Sequence, residues 1–200
     1  MKKIFLYLIF FFIIQFSVFA YSNKSKISII TDEGKKIYAI DDAKLISYGY
    51  DIDDGNYIEI DYQNLGIIVK YCNLSKFKYF HNKNIKFADE LGETGFTGAI
   101  AEPMINLKFS ISISDFDEKL ITINDGIVEE INLDSENHLF GIINYKNIGM
   151  KIQYCNLSEI SLNKGESFHS GKVIGRNISI TDDNVSVIEI DKDKFLFKSK

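Results

Sequence analysis

The groups in this 200-residue chain with the most accessible chemistry are three histidines, two cysteines and two acidic turns, and their spacing commits none of them to a reaction. His81, His138 and His169 lie in turn-like segments without a spaced partner. A structural or catalytic zinc site needs at least three converging ligands, so these read as loop histidines. Asp51-Ile52-Asp53-Asp54 and Asp182-Asp183-Asn184 cluster carboxylates, but neither has the Gly-centred loop and distal Glu of a calcium site. They read as solvated turns. No Gly-x-Ser-x-Gly elbow occurs, and no histidine stands at a defensible spacing from Cys72 or Cys155, which leaves serine or cysteine hydrolysis without support.

The elements that would have to position any site are set by an internal repeat. Residues 62–75 read YQNLGIIVKYCNLS and residues 145–158 read YKNIGMKIQYCNLS, with eight of fourteen positions identical. The same offset of 83 carries Asp42 onto Asp125, Cys72 onto Cys155 and Leu91-Gly92 onto Ile174-Gly175. A register held this long outranks local readings and predicts two copies of one unit.

Ahead of the repeats, Met1-Lys2-Lys3 precedes an apolar stretch over 4–20 interrupted only by Gln15 and Ser17. A charged start, an apolar centre and the ending Val18-Phe19-Ala20 are the pattern of a secretory signal over 1–20, with an uncleaved N-terminal anchor as the alternative. The expectation is a periplasmic or extracellular protein with no membrane span after cleavage. About 180 residues then remain, room for one or two small domains. A net charge of -5 with interspersed signs gives no basic footprint, so nucleic-acid binding is not expected.

Runs of β-branched and aromatic residues punctuated by Gly, Asn and Asp predict strands over 26–30, 36–40, 44–48, 57–62, 67–74, 107–113, 120–123, 127–131, 141–145, 150–157 and 185–190. No window sustains a 3.6-residue apolar period beyond two turns. The predicted class is all-β.

Several segments carry a family likeness. Residues 34–46, GKKIYAIDDAKLI, join a Gly turn, an apolar strand and an acidic-small turn; residues 55–62, GNYIEIDY, start a strand from Gly-Asn-Tyr; residues 71–75 are YCNLS. Residues 84–92 and 162–175, the latter LNKGESFHSGKVIG, complete the set. Together they resemble the LytM or lysostaphin-type zinc endopeptidases that cut peptidoglycan cross-bridges. Biotinyl and lipoyl carrier domains share the hairpin logic of the last segment, but Lys151, which follows Met150, falls inside a predicted strand rather than at a hairpin tip. The likeness implies two tandem LytM-like barrel-sandwich hybrid domains, over 21–113 and 114–200. It also implies where chemistry would sit, since the family holds Zn²⁺ by two His and one Asp and keeps an open position for a polarised water. By that likeness Lys24 and Ser28 stand at the upstream ligands, and Lys108 and Val187 at the closing ligand of each repeat. Asn73, Asn106 and Asn156 stand at catalytic histidines, with Val185 opposite Asn106 in the second copy. An ammonium has no lone pair to give and Val has no donor atom, so the implied protein is a pseudoenzyme without zinc or any other cofactor.

Asn73 and Asn156 read either as residues bonding backbone at a strand end or as retained contacts to a glycan or peptide. Strand alternation puts Ile67, Val69 and Tyr71 on one face, and Met150, Ile152 and Tyr154 on its counterpart. These six form a candidate binding face, apolar where the family has its groove, to be covered by the other repeat, by a partner or by the chain's own loops. Cys72 and Cys155 occupy equivalent interior strand positions and are expected to be unbonded and mostly buried. The resulting expectation is a secreted, non-catalytic scaffold or regulator of the cell envelope that binds peptidoglycan or an envelope protein. An active zinc endopeptidase with atypical ligands and a structural envelope protein without ligand are the alternatives.

Overall fold

A computed structural model describes residues 25–80, 82–111, 119–122, 124–177 and 185–197. The signal-like segment, Lys24, His81 and Asp182-Asp183-Asn184 lie outside the described residues, as does the expected domain boundary at 113/114.

The chain is nearly all β, in two antiparallel sheets. The first is built from β1 (Ser25–Ile30), β2 (Lys36–Tyr38), β3 (Ala43–Asp51), β4 (Gly55–Tyr62), β5 (Ile67–Phe77), β6 (Asn84–Ile85), β7 (Glu90–Thr94) and β8 (Met104–Ile111). Its order is β1-β8-β5-β4-β3-β6, and β7 joins β5 to β2. The second contains β9 (Lys119–Ile121), β10 (Gly126–Leu133), β11 (Leu139–Tyr145), β12 (Met150–Ile160), β13 (Ser167–Phe168), β14 (Val173–Asn177) and β15 (Val185–Ile190). Its order is β13-β10-β11-β12-β14-β9, with β15 on β12. Each expected strand has a counterpart among the described residues: β2 stops at Tyr38, residues 112–113 and 123 lie outside the described residues, and several others run further than the sequence pattern implies. The two-residue strands β6 and β13 and the Gly-containing β7 and β14 were not expected, because such short or Gly-interrupted pairings carry no alternation to read.

Contacts recur between positions 83 residues apart. The hydroxyls of Tyr62 and Tyr71 pair at 2.8 Å, and those of Tyr145 and Tyr154 at 2.7 Å, both buried. An Asp42 carboxylate oxygen accepts from the Phe87 amide, as one of Asp125 accepts from Ser170, each at 2.9 Å. A Cβ on Gly92 would lie 2.4 Å from the Lys76 carbonyl oxygen, and one on Gly175 2.5 Å from that of Glu159, so both sites require glycine. Asn73 and Asn156 share a left-handed backbone, with φ of 63° and 54°. Each stands where a long strand changes partner: β5 pairs β8 up to Cys72 and β7 from Leu74, while β12 pairs β15 up to Tyr154 and β14 from Leu157. Asn tolerates that conformation better than other side chains bearing a Cβ.

The core occupies the inner faces of the sheets. Ile67, Val69, Tyr71, Met150, Ile152 and Tyr154 are all 3% exposed or less. Of the coverings open to this face in sequence, the chain's own packing is the one seen here: these side chains lie in its interior, where the paired tyrosines bond through their hydroxyls. After β15, the single-turn helix α1 (Lys192–Phe195) carries Phe195 and Leu196, both fully buried. Phe195 packs on Tyr71 and Phe109 of the first sheet, so this segment, grouped by sequence with the second unit, completes the core of the first.

Candidate functional site

Strand register gathers Ser28, Asn73, Asn106 and Lys108 on the face opposite the core. On β5, Lys70 and Cys72 point away from Tyr71; β8 sets Lys108 against Lys70 and Asn106 against Cys72. β1 then sets Lys26 against Lys108 and Ser28 against Asn106. Ser28, Asn106 and Asn73 form a hydrogen-bonded chain: the Ser28 hydroxyl donates to Asn106 Oδ1 at 2.5 Å, and Asn106 Nδ2 donates to Asn73 Oδ1 at 2.6 Å. Asn73 Nδ2 donates to the Thr97 carbonyl at 2.8 Å, and the Asn73 amide to that of Asp54 at 2.7 Å. Asn73 and Asn106 are both buried. Asn73 thus bonds backbone and a neighbouring amide at a change of strand partner, the first of the two roles open to it in sequence.

Beside this chain lies an ionic cluster built on the β3–β4 turn. Asp51 Oδ1 accepts from the amides of Asp53 and Asp54, closing the turn and turning Asp54 inward, where it is 5% exposed. Asp54 meets Lys108 Nζ at 2.6 Å and Lys70 Nζ at 2.7 Å, and Lys70 also meets Asp51 at 3.2 Å. The Lys70 ammonium stands 3.9 Å from the ring centroid of Tyr57. Burial alone would raise the pKa of Asp54, but hydrogen bonds from Lys108 and Lys70 outweigh it and hold the carboxyl below its ordinary range. Burial likewise opposes the charge on Lys70, and its bonds to Asp54 and Asp51 more than offset that, so its pKa is raised. Burial, helped by the charge of Asp54, pushes the Cys72 thiol up to about 12. A neutral thiol is a poor nucleophile, so the cluster does not activate Cys72.

Zinc does not fit this donor set. Ser28, Asn73 and Asn106 are a hydroxyl and two neutral amides bonded to one another, and Lys108 brings a positive charge to within 2.6 Å of the buried Asp54 carboxylate. Among the described residues, no group of three or more His, Cys, Asp or Glu converges. His138 and His169 lie on loops beside Asp134 and Asp125.

In the second sheet the register corrects the sequence alignment by one residue. Ser186 stands opposite Gln153 as Lys108 stands opposite Lys70, while Val187 stands opposite Ile152 as Phe109 stands opposite Val69. Val187 is accordingly a core residue, 5% exposed, and the bulge between Lys151 and Ile152 accounts for the slip. On the outer face Gln153 Nε2 approaches Cys155 Sγ at 3.2 Å, and Lys151 lies between Glu129 at 2.9 Å and Glu189 at 2.7 Å. Both cysteines are free; Cys72 is buried and Cys155 half-buried.

Sequence reasoning missed Asp54 and Lys70. In sequence Asp54 reads as part of a solvated acidic turn, and the signal that points to it is the pair of lysines inside otherwise apolar strands, Lys70 and Lys108, which need a buried counter-charge.

The chain matches no protein-family model and no curated protein. Among solved structures it is similar to the catalytic domain of a mutant of the prophage-encoded M23 protein EnpA from Enterococcus faecalis, with a TM-score of 0.40 and 15% identity, covering 44% of this chain and 67% of that one. It is similar to LytU, with a TM-score of 0.40 and 19% identity over 50% of this chain and 70% of LytU. The solution structure of lysostaphin aligns with a TM-score of 0.39 and 12% identity over 75% of this chain and 86% of its own. Among the described residues no helix is long and apolar enough to cross a membrane.

Proposed function

We propose that this protein is a secreted, non-catalytic LytM-like component of the cell envelope, made of two degenerate copies of the peptidase unit. It works by binding, as a scaffold or regulator, with peptidoglycan or an envelope enzyme as partner. The observation that carries this reading is the occupation of the outer face of β5 and β8. Where the family resemblance places metal ligands and catalytic histidines, this chain has Asn73, Asn106 and Ser28 bonded to one another and Lys108 neutralised by Asp54. Neutral amides and a hydroxyl already held in hydrogen bonds are poor ligands beside the imidazole, thiolate and carboxylate donors that zinc takes, and none of them is a base for water. Duplication is supported by the tyrosine pairs, the left-handed asparagines and the capped turns that recur 83 positions apart.

The test is a metal analysis of the purified chain together with co-sedimentation on peptidoglycan, a wall-turbidity assay and affinity capture from its own envelope. Retention on the wall or on a discrete envelope protein, without loss of turbidity, is the expected result. One equivalent of zinc with chelator-sensitive hydrolysis would overturn the reading in favour of an active endopeptidase with atypical ligands. Failure to bind either wall or envelope protein would favour a structural role.

A further inference from the structure

Residues 191–197, which follow β15, leave the second sheet and pack on the first. The Asp191 amide donates to the Gly149 carbonyl at 2.8 Å, over an approach so close that a Cβ on Gly149 would lie 2.9 Å from Lys194 Cβ. Asp191 then caps α1, its carboxylate accepting from the amides of Asp193 and Lys194. Four residues are far too few to hold a helix in water, so α1 persists through what it packs against. Phe195 lies stacked 6.4 Å from Tyr71 and edge-on 5.7 Å from Phe109. The Leu196 carbonyl accepts from the Tyr38 amide at 2.9 Å, and Lys35 Nζ stands 5.8 Å from the ring centroid of Phe197. Lys192, Asp193 and Lys194 face solvent.

This attachment to the first sheet differs in kind from the ladders around it. Strands β5 and β8 are joined through six consecutive residue pairs, whereas the segment rests on an aromatic anchor, a buried leucine and a backbone hydrogen bond at the edge of β2. Elements held by few contacts open at lower free energy than the ladders they lie on. We propose that residues 191–197 are a releasable clasp: the segment opens as a unit while both sheets stay folded, and opening uncovers an apolar slot in the first sheet lined by Tyr71 and Phe109. Closed, the clasp fastens the second unit to the first and keeps the slot filled. This device rests on packing alone and stands independently of the peptidase-like reading of the opposite face.

Native-state hydrogen exchange on the unaltered chain is the direct test. The amides of Tyr38, Phe195 and Leu196 should exchange as one set, about a hundredfold or more faster than those of β5 and β8 and with little dependence on denaturant. Phe195→Ala should speed that set by a further hundredfold to thousandfold, about the effect of truncating a buried Phe, and leave β5 and β8 protected. Phe195→Leu should fall between the two. Exchange of the three amides only at the rate of the β5 and β8 core, with the denaturant dependence of global unfolding, would overturn the proposal. So would melting of both sheets in Phe195→Ala, since the segment would then be inseparable from the core it completes.

Discussion

Asp54→Asn is the perturbation with the clearest energetic signature. The amide keeps the shape of the side chain but removes the charge facing two ammoniums at 2.6 and 2.7 Å. Removing one partner of a fully buried ion pair costs about 3–5 kcal/mol, whereas an exposed pair is worth about 1 kcal/mol at most. Here Asp54 is 7% exposed in its side chain while Lys70 and Lys108 are 17% and 27% exposed, and Lys70 keeps Asp51. Both lysines can therefore swing part-way to water, which places the cost between the limits, at about 2 kcal/mol. Urea unfolding should show this as a lower midpoint with an unchanged slope. A double-mutant cycle with Lys108→Met should return a coupling of about 1–2 kcal/mol. The sign with pH follows from the lowered pKa of Asp54: its contribution is present above the ordinary carboxylate value of 3.8 and is lost as pH falls through the lower folded value. Asp54→Asn should accordingly flatten the acid limb of the stability curve. A cost below about 0.5 kcal/mol, or a coupling indistinguishable from zero, would refute the cluster as a buried unit.

Restoring histidine at Asn106 and Lys108 together should yield neither stoichiometric zinc nor wall hydrolysis, because Ser28 and Asn73 still provide no ligand and no base; metal analysis and a turbidity assay check this. Tyr71→Phe and Tyr154→Phe should each cost about 1–2 kcal/mol, since the hydroxyls of Tyr62 and Tyr145 lose the partners that face them at 2.8 and 2.7 Å; Tyr62→Phe combined with Tyr71→Phe should cost less than the sum of its parts in the same urea assay. Iodoacetamide at neutral to mildly alkaline pH should label Cys155 before Cys72, whose thiol is buried and pushed up to about 12; mass spectrometry of the native protein decides it, and equal labelling would contradict the burial of Cys72.

The sheets were legible because their strands alternate. Residues 67–74 and 150–157 announce themselves by β-branched and aromatic runs, and the matching YCNLS and YCNLS endings fix where each strand kinks. What alternation does not say is which face is inside. The Tyr71 face looked like a groove with its chemistry stripped away, yet the hydroxyl-to-hydroxyl pairing with Tyr62 lets a tyrosine face bury completely, a satisfaction visible only once β4 and β5 are in register. Ser28, Asn73, Asn106 and Lys108, which the family likeness singles out in sequence, lie on neighbouring strands. Asp54 is not singled out there, since its burial depends on Lys70 and Lys108 arriving from two other strands. Val187 was misplaced by one position because a bulge at Lys151 and Ile152 leaves no trace in composition. The role of Phe195 was likewise hidden: a lone aromatic after the last strand has no period, and the rings it packs on, Phe109 and Tyr71, lie 86 and 124 positions earlier in the chain.

The placement of β1 beside β8 has a mechanical consequence. The two run antiparallel with Ser25 opposite Phe109, so the chain comes into the first sheet and leaves it at the same end of the same edge. Tension applied between Ser25 and Ile111 therefore does not shear the six-pair ladder as a whole. It loads the outermost pair first and peels β1 away pair by pair toward Ile30 and Met104. About 20 Å of slack per freed six-residue strand is released before β8 is disturbed, and β8 remains backed by β5. Single-molecule pulling through these two points should register a low-force lengthening of about 40 Å ahead of the main rupture, the freed strand plus the length of β8 it formerly doubled back along, which makes the edge strand an extensible coupling between the rest of the sheet and the chain at residue 25.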